Sequence, residues 1–276
     1  KARADRSDDP VVVHLGMQIA GFDEFTRGNF GAAHRILDEY APIQAVTGLR
    51  DDQMAMARGY RAWAAAIHRG RDAGRSLFAT MADMLPDPRS RLGTAIFAVG
   101  AAAMIGDTEW ALEAGQIIDS DRPGPLAYLR RSGERMYWWA RAMTGDVDDA
   151  LTRIDQLEAV ERNGDDRSGG DAGEDSSAGH VRQRTGEGFW LGLHAEVLIA
   201  AGELTGAAAL LDRADDLAAR TGERYGDAHR MLVRARYEYA GGRTPGVVAD
   251  TLARARRTAL DQDAQALVQR VDALAD

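Results

Sequence analysis

Cysteine is missing from all 276 residues. Disulfides, thiolate nucleophiles and thiolate metal sites are thereby excluded, and a cytoplasmic setting fits. Lysine is almost missing: Lys1 is the only one. The basic residues are otherwise arginine, whose codons a GC-rich bacterial genome favours, and a Gly-x-x-x-x-Gly-Lys phosphate loop has no lysine to complete it. No apolar run approaches the roughly 18 residues of a membrane span. Runs of Val, Ile and Thr that would build a sheet are lacking as well. The net charge is −9 with no dense basic stretch, so direct binding of DNA or RNA is not expected. The opening, residues 1–10, is a polar tail with neither a Met nor the apolar centre of a signal peptide. It reads as the start of a segment excised from a longer protein.

Enzyme signatures are equally scarce. The six histidines (His14, His34, His68, His180, His194, His229) form neither His-x-x-x-His nor His-Glu-x-x-His. A Gly-x-Ser-x-Gly elbow and a glycine-rich dinucleotide loop are also missing. The acidic pairs Asp148-Asp149, Asp165-Asp166 and Asp215-Asp216 fall in solvated helix ends or a loop. No catalytic residue, metal or cofactor is expected.

What the chain has in plenty is Ala and Leu, both good helix formers, within an apolar content of 45%. A punctuation recurs along it: a helical stretch closes on Gly, a short polar turn follows, and a second helix opens on small residues. Clear copies are Gly28-Asn29-Phe30-Gly31-Ala32-Ala33, Gly106-Asp107-Thr108-Glu109-Trp110-Ala111, Gly145-Asp146-Val147-Asp148-Asp149-Ala150 and Gly202-Glu203-Leu204-Thr205-Gly206-Ala207. Weaker ones begin at Gly70 and Gly242. Glycine accepts the left-handed conformation that ends a helix, and Asp or Asn caps the next one. A small residue lets antiparallel helices approach closely.

The six glycines are spaced 42, 36, 39, 57 and 40 residues apart, the mark of a repeated helix pair. First helices are expected near 11–27, 52–69, 89–105, 125–144, 187–201 and 224–240. Second helices are expected near 31–46, 72–85, 108–119, 147–160, 205–221 and 245–260. Asp87-Pro88 and Thr244-Pro245 read as a cap followed by proline in the first helical position. A last helix over 264–274 carries Ala264, Leu267, Val268, Val271 and Leu274 on one stripe and is expected to cap the end of the stack. The long interval holds residues 161–185, acidic and rich in Gly and Ser, expected as a disordered insertion. It separates hairpins 1–4 (11–160) from hairpins 5–6 and the capping helix (186–276).

The pattern resembles tetratricopeptide repeats. With each turn glycine set at the fifteenth position of a repeat, Trp138, Ala150 and Leu157 occupy that family's packing positions in one copy. Ala195, Ala207 and Ala214 do so in another. The Gly70 and Gly242 copies match poorly, and the period near 40 exceeds the usual ~34. That period, and the openings Gly186-Glu187-Gly188-Phe189 and Gly222-Glu223-Arg224-Tyr225, look like the sensor region of bacterial ATPase regulators similar to the maltose activator. Those often carry a LuxR-type DNA-binding end. The resemblance implies an all-α, right-handed solenoid of about six antiparallel helix pairs.

In that family the first helices line a concave face. Carried over, its groove positions give Gln18, Phe22, Tyr60, Arg135, Trp139, Glu196, Arg236 and Tyr239, with Phe25, Phe189 and His229 beside them. Aromatics with Arg and Glu suit a protein or peptide partner, or a small polar effector. Packing between hairpins is the competing explanation for the aromatics. Trp138 and Trp139 point about 100° apart on a helix, so one of them is expected to look into the groove. The expected function is recognition by a sensor or interaction domain of a bacterial transcriptional regulator, with homo-oligomers allowed. The alternatives are a constitutive scaffold and an α/α-toroid hydrolase, for which Glu134 beside the two tryptophans is the sole carboxylate set among aromatics.

Overall fold

The structure is a computed structural model that describes residues 9–40, 51–84, 88–120, 127–168 and 186–275. Those residues form thirteen α-helices and no strand: α1 (Pro10–Thr26), α2 (Phe30–Tyr40), α3 (Asp51–Arg69), α4 (Arg71–Met84), α5 (Pro88–Ile105), α6 (Thr108–Ser120), α7 (Ala127–Met143), α8 (Val147–Ser168), α9 (Glu187–Ala200), α10 (Leu204–Thr221), α11 (Asp227–Ala240), α12 (Pro245–Asp261) and α13 (Gln265–Ala275). Residues 1–8 of the expected tail, the end of the expected helix 31–46 and residues 169–185 of the insertion lie outside the described residues; Pro10, expected in the tail, opens α1.

The turns explain why the helices stop where they do. All six punctuating glycines have positive φ, from 70° at Gly242 to 117° at Gly145. At five of the turns the amide just after the glycine donates back to a carbonyl five residues earlier. These bonds are Asn29 to Glu24, Asp107 to Ala102, Asp146 to Arg141, Glu203 to Leu198 and Arg243 to Glu238. That is the Schellman closure, which only a left-handed residue permits. Asp107 then caps α6, its Oδ1 accepting from the Trp110 amide at 3.0 Å. At Glu203 and Thr244 no side-chain cap forms; proline at the first position of α12 opens that helix instead.

Within each pair the second helix packs back on the first. Between pairs, α1, α3, α5, α7, α9 and α11 pack each on the next, and each second helix also touches the first helix that follows it. Two rows result. Wholly buried alanines at the contacts, among them Ala33, Ala66, Ala111, Ala150 and Ala207, let the backbones close up. Past its first turn α5 is apolar on every side, and α9 is largely so, as helices enclosed by neighbours must be.

Three features differ from the sequence expectation. Helix α8 runs on to Ser168, so the stretch from 161 begins as helix. The last helix does not simply cap the stack. It covers α11 and α12, but it also turns inward against α3 and α5. The first hairpin, finally, meets the far end of the chain: the Arg224 and Tyr225 amides both donate to Thr26 O, at 2.7 and 3.2 Å. The Phe30 amide donates to Gln262 O at 3.2 Å. The inner row therefore curves until its ends touch.

Candidate functional site

Helix α9 reads Glu-Gly-Phe-Trp-Leu-Gly-Leu-His-Ala-Glu-Val-Leu-Ile-Ala. A glutamate this deep in an apolar run must be paired if it is to stay ionised. Glu196 is 2% exposed and receives donors from three other helices. Trp139 Nε1 of α7 donates to Oε2 at 2.8 Å. Arg236 Nη1 of α11 and Arg270 Nη2 of α13 both donate to Oε1, at 2.8 and 2.6 Å. His229 Nε2, also from α11, stands 3.5 Å from Oε2, beyond a good hydrogen bond, and its Nδ1 has no partner.

The electrostatics follow from the geometry. Burial by itself would raise the pKa of Glu196. The charge of Arg270, the proximity of His229 and the charge of Arg236 outweigh it and hold the carboxylate well below its usual range. Burial pushes His229 down, against the pull of Glu196, so the imidazole is held neutral. Arg270 also donates to Met104 O at 3.3 Å, one of the free carbonyls at the end of α5. Two guanidinium groups share one carboxylate, which leaves an excess of positive charge. Arg236, whose side chain is 37% exposed, carries that excess toward solvent.

The hub continues into an aromatic wall. The ring of His229 meets Phe189 edge-on at 5.1 Å. Phe189 meets Tyr225 and Trp63 at 6.0 and 6.2 Å. Phe25 sits among Phe30, Tyr60, Trp63 and Tyr225 at 5.1 to 5.4 Å. Burial raises the Tyr225 phenol well above its ordinary value. Beneath Tyr225, a cleft between Phe189, Leu217, Glu223 and Arg230 has room for about one water molecule.

Of the residues expected on the concave face, the structure brings Trp139, Glu196 and Arg236 together. Phe22 and Tyr60 meet each other edge-on at 4.8 Å. Arg135 lies elsewhere, its guanidinium 5.1 Å over the Trp190 ring. Gln18 is half-buried on α1, and Tyr239 is 78% exposed. Trp139 is the tryptophan that turns inward, at 1% exposure. Trp138 lies beneath the guanidinium groups of Arg141 and Arg153, at 5.5 and 5.7 Å. Glu134 is half-buried and bonded to Arg130 at 2.8 Å. Arg270 was not expected in the site. Its one signal is an arginine beside the apolar stripe of α13, which on an end cap would simply face water.

Among the described residues no helix is long and apolar enough to cross a membrane. No group of three or more His, Cys, Asp or Glu among them is placed to hold a metal ion. No family model, curated protein or solved structure matches the chain.

Proposed function

We propose that the chain is a tetratricopeptide-like, right-handed helical-repeat domain that binds a protein partner. Such a domain would serve as the sensor or interaction part of a cytoplasmic bacterial regulator and act by recognition, without chemistry of its own. The observation that carries this reading is the pair Arg236 and Tyr239. They stand one turn apart on α11, where neighbours three residues apart share a face. Glu196 grips one end of the Arg236 guanidinium while the side chain still reaches water, and Tyr239 is almost fully exposed. Arginine and tyrosine presented from a rigid helix are the side chains that most often dominate protein interfaces.

The test is native mass spectrometry of the chain after incubation with bacterial extract, beside a Tyr239→Ala variant of equal melting temperature. A protein companion bound in fixed ratio by the wild type, and about tenfold more weakly by the variant, is the expected result. A companion held equally by both moves the interface away from α11. A small bound mass in place of a protein would replace the partner reading with an effector.

A further inference from the structure

Helix α13 is held by a few aliphatic side chains and by polar contacts that reach distant helices. Its large buried side chains are only Leu267, Val268 and Val271, and Leu274 is left exposed. These meet α3, α5, α11 and α12. Its polar attachments are Arg270 to Glu196 and to Met104 O and Arg256 Nε of α12 to Asp272 Oδ1 at 2.8 Å; the turn before it is tied by His68 Nδ1 to Asp263 Oδ2 at 3.1 Å and by Gln262 Nε2 to Arg224 O at 2.6 Å. The hinge before it holds Asp263 at φ 55°, the one non-glycine with positive φ among the described residues, a conformation that stores backbone strain.

The surface beneath is shaped to receive this segment. A Cβ at Gly28 would collide with Gln262, one at Gly31 with Asp263, and one at Gly106 with Arg270. Gly70, Gly145, Gly202 and Gly242 close equivalent turns and would meet nothing. Gly31 lies inside α2 with no turn to make; the close approach of Asp263 is its reason.

We propose that α13 is a releasable strap: an internal ligand seated on the concave face until an amphipathic helix of a partner takes its place. That helix would carry aliphatic side chains at the spacing of Leu267, Val268 and Val271, and an arginine at the place of Arg270 for Glu196 to bind. The proposal rests on the reading above that the domain binds a protein, and it names the chemistry of the segment bound. The fit is defined by α13 itself, since the same wall that accepts its side chains and its arginine accepts a second helix bearing them. Tethering gives α13 the advantage of high effective concentration, so an untethered helix must bind more tightly or arrive after the strap has opened.

Hydrogen exchange on the full chain tests the strap. The amides of α13 are expected to exchange about tenfold faster than those of α3, α5 and α9, through an opening smaller than global unfolding. Arg270→Ala is expected to speed α13 roughly tenfold further while leaving the other three unchanged. A fluorescent peptide with the sequence of residues 262–275 is then expected to bind the full-length Arg270→Ala variant up to about tenfold more tightly than the wild type, in step with the larger open fraction. Should the alanine variant fail to fold, Arg270→Lys keeps the charge, and wild-type exchange needs no variant. Exchange of α13 only in step with α3 and α5 would make it a fixed part of the core and overturn the proposal. So would an α13 that opens while the peptide stays unbound. Neither result touches the Tyr239 experiment, so the two readings fail separately.

Discussion

The guanidinium of Arg270 crosses Gly106 so closely that a Cβ on that glycine would stand 2.6 Å from Arg270 Nε. Gly202 closes a comparable turn at φ 79° beside open space, against 78° at Gly106. Both positions strain any other residue, at about 1–2 kcal/mol. Gly106→Ala must in addition displace Arg270 from Glu196, at about 2 kcal/mol more. Urea unfolding of Gly106→Ala and Gly202→Ala separates the two effects. Equal losses would mean that the crossing does not hold in solution.

Trp139 is expected to be intolerant of truncation. Sequence alone set it among the groove residues, with packing between hairpins as the competing explanation. Its burial and its bond to Glu196 put the cost of Trp139→Ala at about 3–5 kcal/mol. Trp139→Phe keeps most of the volume and removes one donor from a buried carboxylate, at about 1–3 kcal/mol. Denaturant midpoints of both variants check the order. An alanine variant as stable as the phenylalanine variant would place the indole outside the core.

Acid is expected to weaken the fold in two stages. His229 has a lowered folded pKa. Below the ordinary imidazole value near 6.5 the unfolded chain therefore binds the extra proton, and stability falls as pH drops from there. Glu196 also has a lowered folded pKa. Its contribution is complete above the ordinary carboxylate value of 4.5 and is lost as pH falls further toward the folded pKa. His229→Gln should shrink the first stage, to which the buried His34 also contributes, and leave the second. Glu196→Gln should abolish the second and lower stability at neutral pH by about 3–5 kcal/mol, because two arginines lose their counter-charge. Unfolding free energy measured between about pH 7 and pH 3 reads both stages.

Phe25 reports on the meeting of the chain's two ends. It touches Tyr60 and Trp63 of α3 as well as Tyr225 from the far end. Phe25→Ala is expected to cost about 3–5 kcal/mol. It should also raise amide exchange at Arg224 and Tyr225, whose bonds to Thr26 lie beside it. Exchange at those amides that stays unchanged would show that the closure does not depend on the ring cluster.

The sequence made the local architecture readable and left the long-range one hidden. Turn glycines announce themselves because only glycine sits comfortably at positive φ, and the six singled out by spacing all do so. Helix boundaries followed from the same signals. Curvature did not, because it accumulates from small rotations between pairs that no single residue encodes. The meeting of Thr26 with Arg224 was therefore invisible. In the site, Glu196 and Arg236 were legible as polar residues on first helices. Arg270 was not, since a helix read as an end cap offers its arginine to water. Trp139 was expected at the groove; it is buried instead, because α9 brings Glu196 onto its indole.

A stack of helix pairs ordinarily forms by local steps, each pair settling on the one before. Some contacts of this chain do not follow that order. His68 must wait for Asp263, 195 residues later, and Met104 O for Arg270, 166 residues later. Early hairpins emerging from the ribosome hold Phe25 and Trp63 without their last partners, so they are the segments most in need of shelter during synthesis. Contacts of such span slow folding, and they tie the seating of the last helix to hairpins made long before it.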